Sequence, residues 1–351
     1  MAARTTPLRI ELTMPERLFE QPDWDATVAG FPTGTIYHSA GWLKFLEQTQ
    51  AATSIVEAFD VPGASGFHVA AKLRKGPFTI LGSPLPGWTT ARMGPLFDPA
   101  TVDQNALIAE LEAFGRRSGA SMFEVANENL DADAMRAAGF ESSPDGTFIV
   151  DLPETEDELW NNLRSTCRNR VRKGRNNGLT VEIGIDDALV NDVWERVQAV
   201  FHHQELVVSY DRGRVQALYD IFAPLNQVVG IRVRAPDGHI AACGIFPFDE
   251  QTIYFWAGAA RPEDRALVPN ELMHWSLMRH AQELGLKHYD MCGGGDYKKK
   301  FGAYHVKNPH WIRYYNPAAK LGRATMAKIL RSRRAVAGRI PWLRSLIIHS
   351  A

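Results

Sequence analysis

The apolar positions between residues 269 and 285 recur at the three- and four-residue intervals of a helix. They are Leu272, Trp275, Leu277, Met278, Ala281 and Leu284. Pro269 suits the first turn of such a helix, where its missing N–H is not needed, and Gly285 suits the position after the last turn. The pattern predicts a helix over residues 270–285.

A short apolar run, a glycine break and a lysine-rich turn follow this helix. Residues 287–292 have the length and composition of a strand, and three consecutive glycines come next. Glycine permits a positive φ and a close approach to the backbone that a larger residue would block. Tyr297 and three lysines complete the segment. The order predicts a turn whose main chain lies open beside the end of a strand.

Further strands are predicted on both sides of the middle of the chain. Residues 228–235, 239–248 and 251–257 predict a meander, with Asp237-Gly238 as its first turn. The first half predicts a hairpin over residues 66–73 and 78–81, followed by a helix (105–119), a strand (121–126), a short helix (131–138) and a strand (147–152). The second half repeats this order, which indicates a duplication. A chance repeat of common elements is the alternative.

Composition limits the class of protein. The chain has 351 residues, 45% of them hydrophobic and 23% charged, which suits a globular protein of two domains. A net charge of −1 gives no overall attraction to nucleic acid, so DNA is not expected as a partner. The three cysteines lie far apart and predict neither a disulfide framework nor a metal site, which favours a reducing cytoplasm. No segment has the apolar length of a signal peptide or a membrane span.

Three short motifs carry a resemblance to a known group of enzymes. They are Pro269-Asn270 with Leu272 and Trp275, Tyr289-Asp290 with Gly293-Gly294, and Tyr297-Lys298 with Phe301-Gly302. Together they resemble the second domain of the Fem peptidoglycan aminoacyltransferases and of the BioF2-like acetyltransferases, both in the GNAT superfamily. The resemblance implies an α/β (α+β) fold with two tandem GNAT-like domains, each a twisted mixed β-sheet flanked by helices. The expected divisions are residues 1–150, 151–318 with the donor site, and a basic amphipathic tail over 319–351.

The resemblance also implies the donor side of a site. It places Tyr297 and Lys298 on the aromatic residue and the lysine that the family uses near the acyl donor, and Lys298 would stabilise an oxyanion. A solvated run of lysines is the alternative for Lys298. Asp290 completes the expected catalytic set as a base or a partner of a lysine, and a strand-end aspartate that caps a local turn is the alternative. The expected donor-binding residues are Tyr254, Trp256, Arg265, Asn270, Gly293 and Gly294. The loop over residues 261–270 lacks the Arg/Gln-x-x-Gly-x-Gly/Ala pattern with which ordinary GNAT proteins hold coenzyme A.

The acceptor side is predicted from a basic cluster and from aromatic positions. Residues 164–175 contain six basic residues and no acid. On a helix, Arg164, Arg168 and Arg172 fall on one face, where like charges repel unless an anion binds. A solvated basic face without a bound anion is the alternative. Trp42, Trp88 and Arg92 are expected to contribute to binding the acceptor or an anion, with Trp88 and Arg92 in a binding loop. A role of Trp42 in the first core, or a rigid connector in place of a binding loop, is the alternative.

The expected function is N-acyl transfer by direct attack of an amine. The donor is an acyl-CoA-like thioester or an aminoacyl-tRNA, used as a co-substrate with no bound cofactor, and the acceptor is a small or lipid-linked precursor of the cell envelope or of a polysaccharide. Residues 180–229 are too short and irregular for the coiled-coil arm of tRNA-dependent Fem enzymes, which favours a thioester. The basic tail over residues 320–351 suits peripheral contact with a membrane, and a basic helix that docks on its own protein or on a partner is the alternative. A catalytically silent scaffold that binds anionic lipid or RNA is the alternative.

Overall fold

The computed structural model describes residues 17–204, 206, 208 and 210–325. The strands are β1 (Thr53–Val61), β2 (Ala64–Lys75), β3 (Phe78–Ser83), β4 (Met122–Ala126), β5 (Glu141–Ser143), β6 (Gly146–Asp151), β7 (Thr180–Ile183), β8 (Val228–Arg234), β9 (Ile240–Pro247), β10 (Thr252–Tyr254), β11 (Ala257–Ala260), β12 (His288–Asp290), β13 (Tyr304–Lys307) and β14 (His310–Tyr314). The α-helices are α1 (Trp24–Ala29), α2 (Ala40–Gln50), α3 (Gln104–Arg117), α4 (Ala132–Ala137), α5 (Glu156–Asn162), α6 (Ser165–Asn176), α7 (Leu189–His203), α8 (Arg212–Phe222) and α9 (Pro269–Glu283). Short 3-10 helices span Leu18–Glu20, Ile36–His38, Pro262–Leu267 and Asp296–Phe301.

The first half of the chain is built on a six-stranded mixed sheet in the order β1-β2-β3-β4-β14-β5. β1, β2 and β3 pair antiparallel, and β3 pairs parallel with β4. A parallel pair needs a crossover, and α3 supplies it. Asp103 caps the N-terminus of α3 by accepting hydrogen bonds from the N–H groups of Asn105 and Ala106.

The second half carries two four-stranded sheets, in the orders β11-β9-β8-β7 and β10-β12-β6-β13. β10 and β12 are parallel and are connected through α9, whose apolar residues are buried. The helix and the mixed sheets confirm the predicted fold class. The predicted strand over residues 251–257 is wrong in one respect, because it is divided into β10 and β11. Phe255 and Trp256 separate them, since β10 pairs with β12 whereas β11 pairs with β9.

Two strands cross between the halves. β14, near the end of the described chain, lies between β4 and β5 in the sheet of the first half. β6, before the expected boundary, lies between β12 and β13 in a sheet of the second half. A shared core also joins the halves, with Trp42 and Phe45 of α2 in the same apolar cluster as Phe222 of α8. The division at residue 150 stays a prediction, and each half completes a sheet of the other.

The region expected to lack a coiled-coil arm contains two helices of moderate length. α7 and α8 pack against each other and against the shared core. Among the residues that the structure describes, no helix is both long enough and apolar enough to cross a bilayer. Residues 317–325 are helical, and the remainder of the predicted membrane-contacting tail, 326–351, lies outside the described residues.

Candidate functional site

A cleft of about 330 Å³ lies beside the break between β10 and β11. We call it the splay cleft. Phe255 and Trp256 of the break line it, together with Cys292 and Gly293 of the turn after β12. The rest of its lining comes from Leu85, Pro86, Gly87, Thr89, Thr90, Ala91, Asp145, Gly146, Thr147 and His310. The predicted glycine break and the predicted binding loop therefore lie on the same cleft.

The glycine break gives the splay cleft an open stretch of main chain. Cys292 has a φ of 49° and Gly293 a φ of 60°, so the chain turns sharply as it leaves β12. A Cβ built on Gly293 or Gly294 would meet no atom within 4 Å. A ligand can therefore approach the backbone at these two residues, as the sequence predicted for them.

Lys298 is buried and holds the turn from behind. Its Nζ donates hydrogen bonds to the carbonyl oxygens of Cys292 and Gly293, the second at 2.9 Å. Burial lowers the pKa of the Lys298 ammonium, and the nearby Cys292 and Asp290 oppose that shift. Tyr297, by contrast, is 54% exposed and is not one of the residues that line the splay cleft. The two residues of the predicted catalytic pair therefore differ sharply in their surroundings.

Asp290 lies beneath the cleft rather than in it. It is fully buried at the end of β12, where its Oδ1 accepts hydrogen bonds from the Thr147 hydroxyl and, at 2.8 Å, from the Cys292 N–H. Its Oδ2 has no hydrogen-bond partner among the described residues. Asp290 thus ties the turn to β6, and its predicted role as a base stays a prediction.

The two aromatic residues predicted to bind the donor line different cavities. Trp256 lines the splay cleft, and its Nε1 is buried without a hydrogen-bond partner in the described part of the chain. Tyr254 lines a separate cavity of about 230 Å³ and donates a hydrogen bond to Asp249 Oδ2 at 2.7 Å. Burial raises the pKa of Tyr254 well above its ordinary value, with the Asp249 carboxylate adding to the shift. Tyr254 therefore remains a neutral hydrogen-bond donor.

The predicted loop over residues 83–92 forms one wall of the splay cleft. Trp42 and Trp88 are both buried in the shared core, so neither ring lines the cleft. Trp42 supports the loop instead, since its Nε1 donates a hydrogen bond to Thr90 Oγ1 at 3.1 Å. Arg92 pairs with Glu128 at 2.5 Å and lines the 230 Å³ cavity with Tyr254.

The N-terminus of α9, which carries the expected donor-binding residue Asn270, holds an internal carboxylate. Glu271 is buried in the first turn of α9 and forms salt bridges with Lys300 at 2.7 Å and Arg170 at 2.9 Å. Burial alone would raise the pKa of Glu271, but the hydrogen bonds from Lys300 and Arg170 outweigh it and the pKa is lowered. Arg265 is exposed in the preceding 3-10 helix, and Asn270 is half-buried. Their donor-binding roles stay predictions.

The predicted basic face belongs to α6 and its N-cap, and its arginines have partners within the chain. Arg168 donates a hydrogen bond to the carbonyl oxygen of Asn161 at 3.1 Å. The Arg172 guanidinium lies 5.1 Å from the centre of the Trp160 ring. Arg164 is exposed at the N-cap of α6. None of the three lines the splay cleft, and their role in binding an anion stays a prediction.

Comparison with protein families decides the class of the second half. Residues 161–300 match the family model described as an acetyltransferase (GNAT) domain. The chain carries a GNAT-type acyltransferase domain. The predicted superfamily and the predicted enzyme class are confirmed. Four residues of the matched range, Phe255, Trp256, Cys292 and Gly293, line the splay cleft, and the rest of its lining comes from outside that range. No curated protein matches the sequence.

Two solved structures resemble the fold over most of its length. A crystal structure of FemX has a TM-score of 0.69 and 16% sequence identity, covering 85% of this chain and 97% of that one. A conserved protein of unknown function from Bacteroides thetaiotaomicron has a TM-score of 0.55 and 12% identity, covering 83% of this chain and 96% of the other. The likeness is one of fold, and it covers most of the described chain.

Several residues of the GNAT-type site escaped the sequence analysis. Thr147 and Asp145 belong to the first half, and His310 to a strand that returns to it, yet all three line the splay cleft. The sequence carries no local signal for them, because only the crossing of β6 and β14 brings them to the turn after β12. Within the described ranges, no group of three His, Cys, Asp or Glu residues could hold a metal ion.

Proposed function

We propose that the protein is an N-acyltransferase that moves an acyl or aminoacyl group from an activated carrier to an amine of a cell-envelope or polysaccharide precursor. The carrier is a thioester of the acyl-CoA type or an aminoacyl-tRNA, and it acts as a substrate rather than a resident cofactor. The observation that carries the proposal is the splay cleft, where Trp256 and the open main chain of Gly293 line one cavity within a GNAT-type domain.

The shape of the splay cleft suits an activated carbonyl group. Because a Cβ at Gly293 or Gly294 would meet open space, a flat carbonyl group can lie against the main chain there. The loop over residues 85–91 lines the same cavity. Positioning the donor and an attacking amine in one cavity supplies much of the rate without an enzyme nucleophile.

Lys298 supports the transition state in this proposal. An ammonium group carries three donor hydrogens, and two of those on Lys298 go to the carbonyl oxygens of Cys292 and Gly293. Lys298 does not line the splay cleft, so in this proposal it fixes the turn against which the donor lies, and its charge acts on the oxyanion from behind that turn. Because the group is buried, its charge acts on that oxyanion with little screening by water.

The acceptor and the place of action are proposed from a likeness of fold and from the basic tail. FemX is a structural neighbour of this chain. We extend that likeness of fold to the chemistry and therefore propose an acceptor of the envelope-precursor type. The basic tail offers a peripheral contact that would bring the enzyme to a lipid-linked acceptor at the cytoplasmic membrane face, although the structure describes only its first residues, up to 325. The scaffold alternative loses support from the internal partners of Arg168 and Arg172, which leave less of the basic face free for lipid or RNA.

The test is a transfer assay with the full chain and both donor classes. Purified protein is incubated with a panel of acyl-CoA thioesters and, separately, with charged tRNA, each with amino sugars and short amine-bearing peptides, and amide products are detected by mass spectrometry. We expect an amide from one donor class, and ribonuclease abolishes the product only if the donor is tRNA. Absence of product from both classes, with carrier metabolites also missing from the purified protein, contradicts the proposal.

A further inference from the structure

His310 is the first residue of β14, the strand that returns to the sheet of the first half. It is opposite Ala126 of β4 and Ser143 of β5 in the sheet register. Its side chain is largely buried, yet His310 and its neighbour Asp145 both line the splay cleft. His310, a histidine in the sheet of the first half, therefore lines the splay cleft beside residues of the second half.

A buried carboxylate fixes the orientation of the His310 ring. Nδ1 lies 2.8 Å from Glu124 Oε1, and Glu124 is only 1% exposed. The other oxygen of Glu124, Oε2, lies 2.9 Å from Arg323 Nη2, so the carboxylate has a cation on its far side. Because a carboxylate can only accept, Nδ1 carries the proton, and neutral His310 keeps a lone pair on Nε2.

A carboxylate lies near each nitrogen of the His310 ring. Asp145 Oδ2 lies 3.5 Å from Nε2, so an imidazolium formed there would face carboxylates at both nitrogens. Arg323 is a positive charge on the far side of Glu124 and acts on His310 through that carboxylate. A histidine at a cavity wall, with Nδ1 held by a buried carboxylate, has the arrangement of a general base that acts through Nε2.

We propose that His310 is the general base for the acceptor amine and that Glu124 is its positioning residue; the inference rests on the proposed function. The amine nitrogen attacks the donor carbonyl carbon and forms the C–N bond, while its proton passes to His310 Nε2. Collapse of the tetrahedral intermediate breaks the C–S or C–O bond to the carrier. The imidazolium then returns the proton to the departing thiolate or alkoxide, so that neutral His310 is restored.

Other titratable groups near the cleft are poorly suited to this step. Asp290 Oδ1 already accepts two hydrogen bonds below the cavity surface. Cys292 lines the cleft, but burial and the Asp290 charge raise the pKa of its thiol well above the ordinary value, so it holds its proton. His310 combines a lining position with a free lone pair.

The experiment compares the pH dependence of kcat in three variants of the full chain. His310→Asn should lower kcat at neutral pH by about 10²- to 10⁴-fold with little change in KM, and it should remove the acid limb of the profile. Glu124→Gln keeps an acceptor for Nδ1–H but removes the charge, and it should move the acid limb to lower pH. His280→Asn is the matched control, because His280 lies at the far end of α9 beside Glu283 and should leave kcat unchanged.

A chemical rescue separates a base from a structural role. His310→Ala should regain activity in added imidazole, whereas a variant impaired only by poor packing should not. Wild-type kcat and an unchanged acid limb in folded His310→Asn would overturn the inference. If His310→Asn does not fold, the Glu124→Gln variant decides. An acid limb of its kcat profile at the same pH as in the wild type would also overturn the inference. A wild-type protein without any transferase activity is a different result, which removes the proposed function itself.

Discussion

Lys298 Nζ donates a hydrogen bond to the carbonyl oxygen of Gly293 at 2.9 Å, in the turn where the chain leaves β12. The same ammonium also binds the carbonyl oxygen of Cys292. A positive φ at two successive residues is unfavourable for most side chains, and Cys292 is not a glycine. The buried lysine therefore stabilises the turn that exposes the main chain of the cleft, in addition to its proposed action on the oxyanion.

The first prediction separates Lys298 from its neighbour. Lys298→Met keeps the length of the side chain but removes its charge and donors. We expect kcat to fall by about 10²- to 10³-fold because the turn loses its support and the oxyanion loses a nearby positive charge. Lys299→Met is the control, since Lys299 is half-buried and forms its ion pair with Asp296 rather than with the turn after β12. Steady-state kinetics measures both. Equal activity of the two variants would contradict the assignment of Lys298.

The second prediction uses the glycine pair at the open turn. Gly293→Ala is expected to lower the free energy of unfolding by about 1 kcal/mol, because φ at this residue is 60°. The new methyl group also enters the splay cleft and should raise KM for the donor. Gly294 has equally open surroundings without a positive φ, so Gly294→Ala should be close to wild type in stability. Chemical denaturation and kinetics of both variants provide the comparison.

Local pattern predicted the parts of this site, and long-range pairing assembled them. The helix over residues 270–285 and the open turn after it were predicted because their signals lie within one continuous segment, and both are present in the structure. The break at Phe255–Trp256 was not predicted, since it depends on which strand pairs with each side of it. Trp42 was expected near the acceptor, but a buried tryptophan that supports a loop has the same sequence signature as one that touches a ligand.

The third prediction concerns the contact between β6 and the end of β12. Thr147→Val removes the hydroxyl that donates to Asp290 Oδ1 and leaves a buried carboxylate with only the Cys292 N–H. We expect a loss of about 1–3 kcal/mol in the free energy of unfolding, because a buried charged acceptor loses a partner. Thr147→Ser retains the hydroxyl and should lose much less. Similar losses in both variants would mean that the methyl group, not the hydrogen bond, matters.

The fourth prediction follows from the crossing strands. Residues 1–150 and 151–318, produced as separate chains, should not fold independently. The first would lack β14 between β4 and β5, and the second would lack β6 between β12 and β13. Unpaired strand edges of this kind promote aggregation. Circular dichroism and amide exchange of each fragment, and of the two mixed, test this. A cooperative unfolding transition in either isolated fragment would contradict it.

The fifth prediction concerns acid stability and a histidine remote from the cleft. Neither nitrogen of His68 has a hydrogen-bond partner in the described part of the chain, and the ring lies between Phe59 and Phe114, with centroid distances of 4.6 and 4.5 Å. Burial, with a smaller contribution from Arg117, lowers its pKa from 6.5 to about 3. Glu110 Oε1 lies 3.8 Å away but is paired with Arg117.

The direction of the effect follows from proton binding. Between pH 6.5 and pH 3 the unfolded chain binds a proton at His68 that the folded chain does not, so stability falls as the pH is lowered through this range. At pH 5 the loss from this one residue is about 2 kcal/mol. His68→Leu should remove that part of the difference between the free energies of unfolding at pH 7 and pH 5, as measured with urea. The partly exposed His280→Leu should leave the difference unchanged, and an unaltered difference in His68→Leu would show that His68 is not protonated on unfolding in this range.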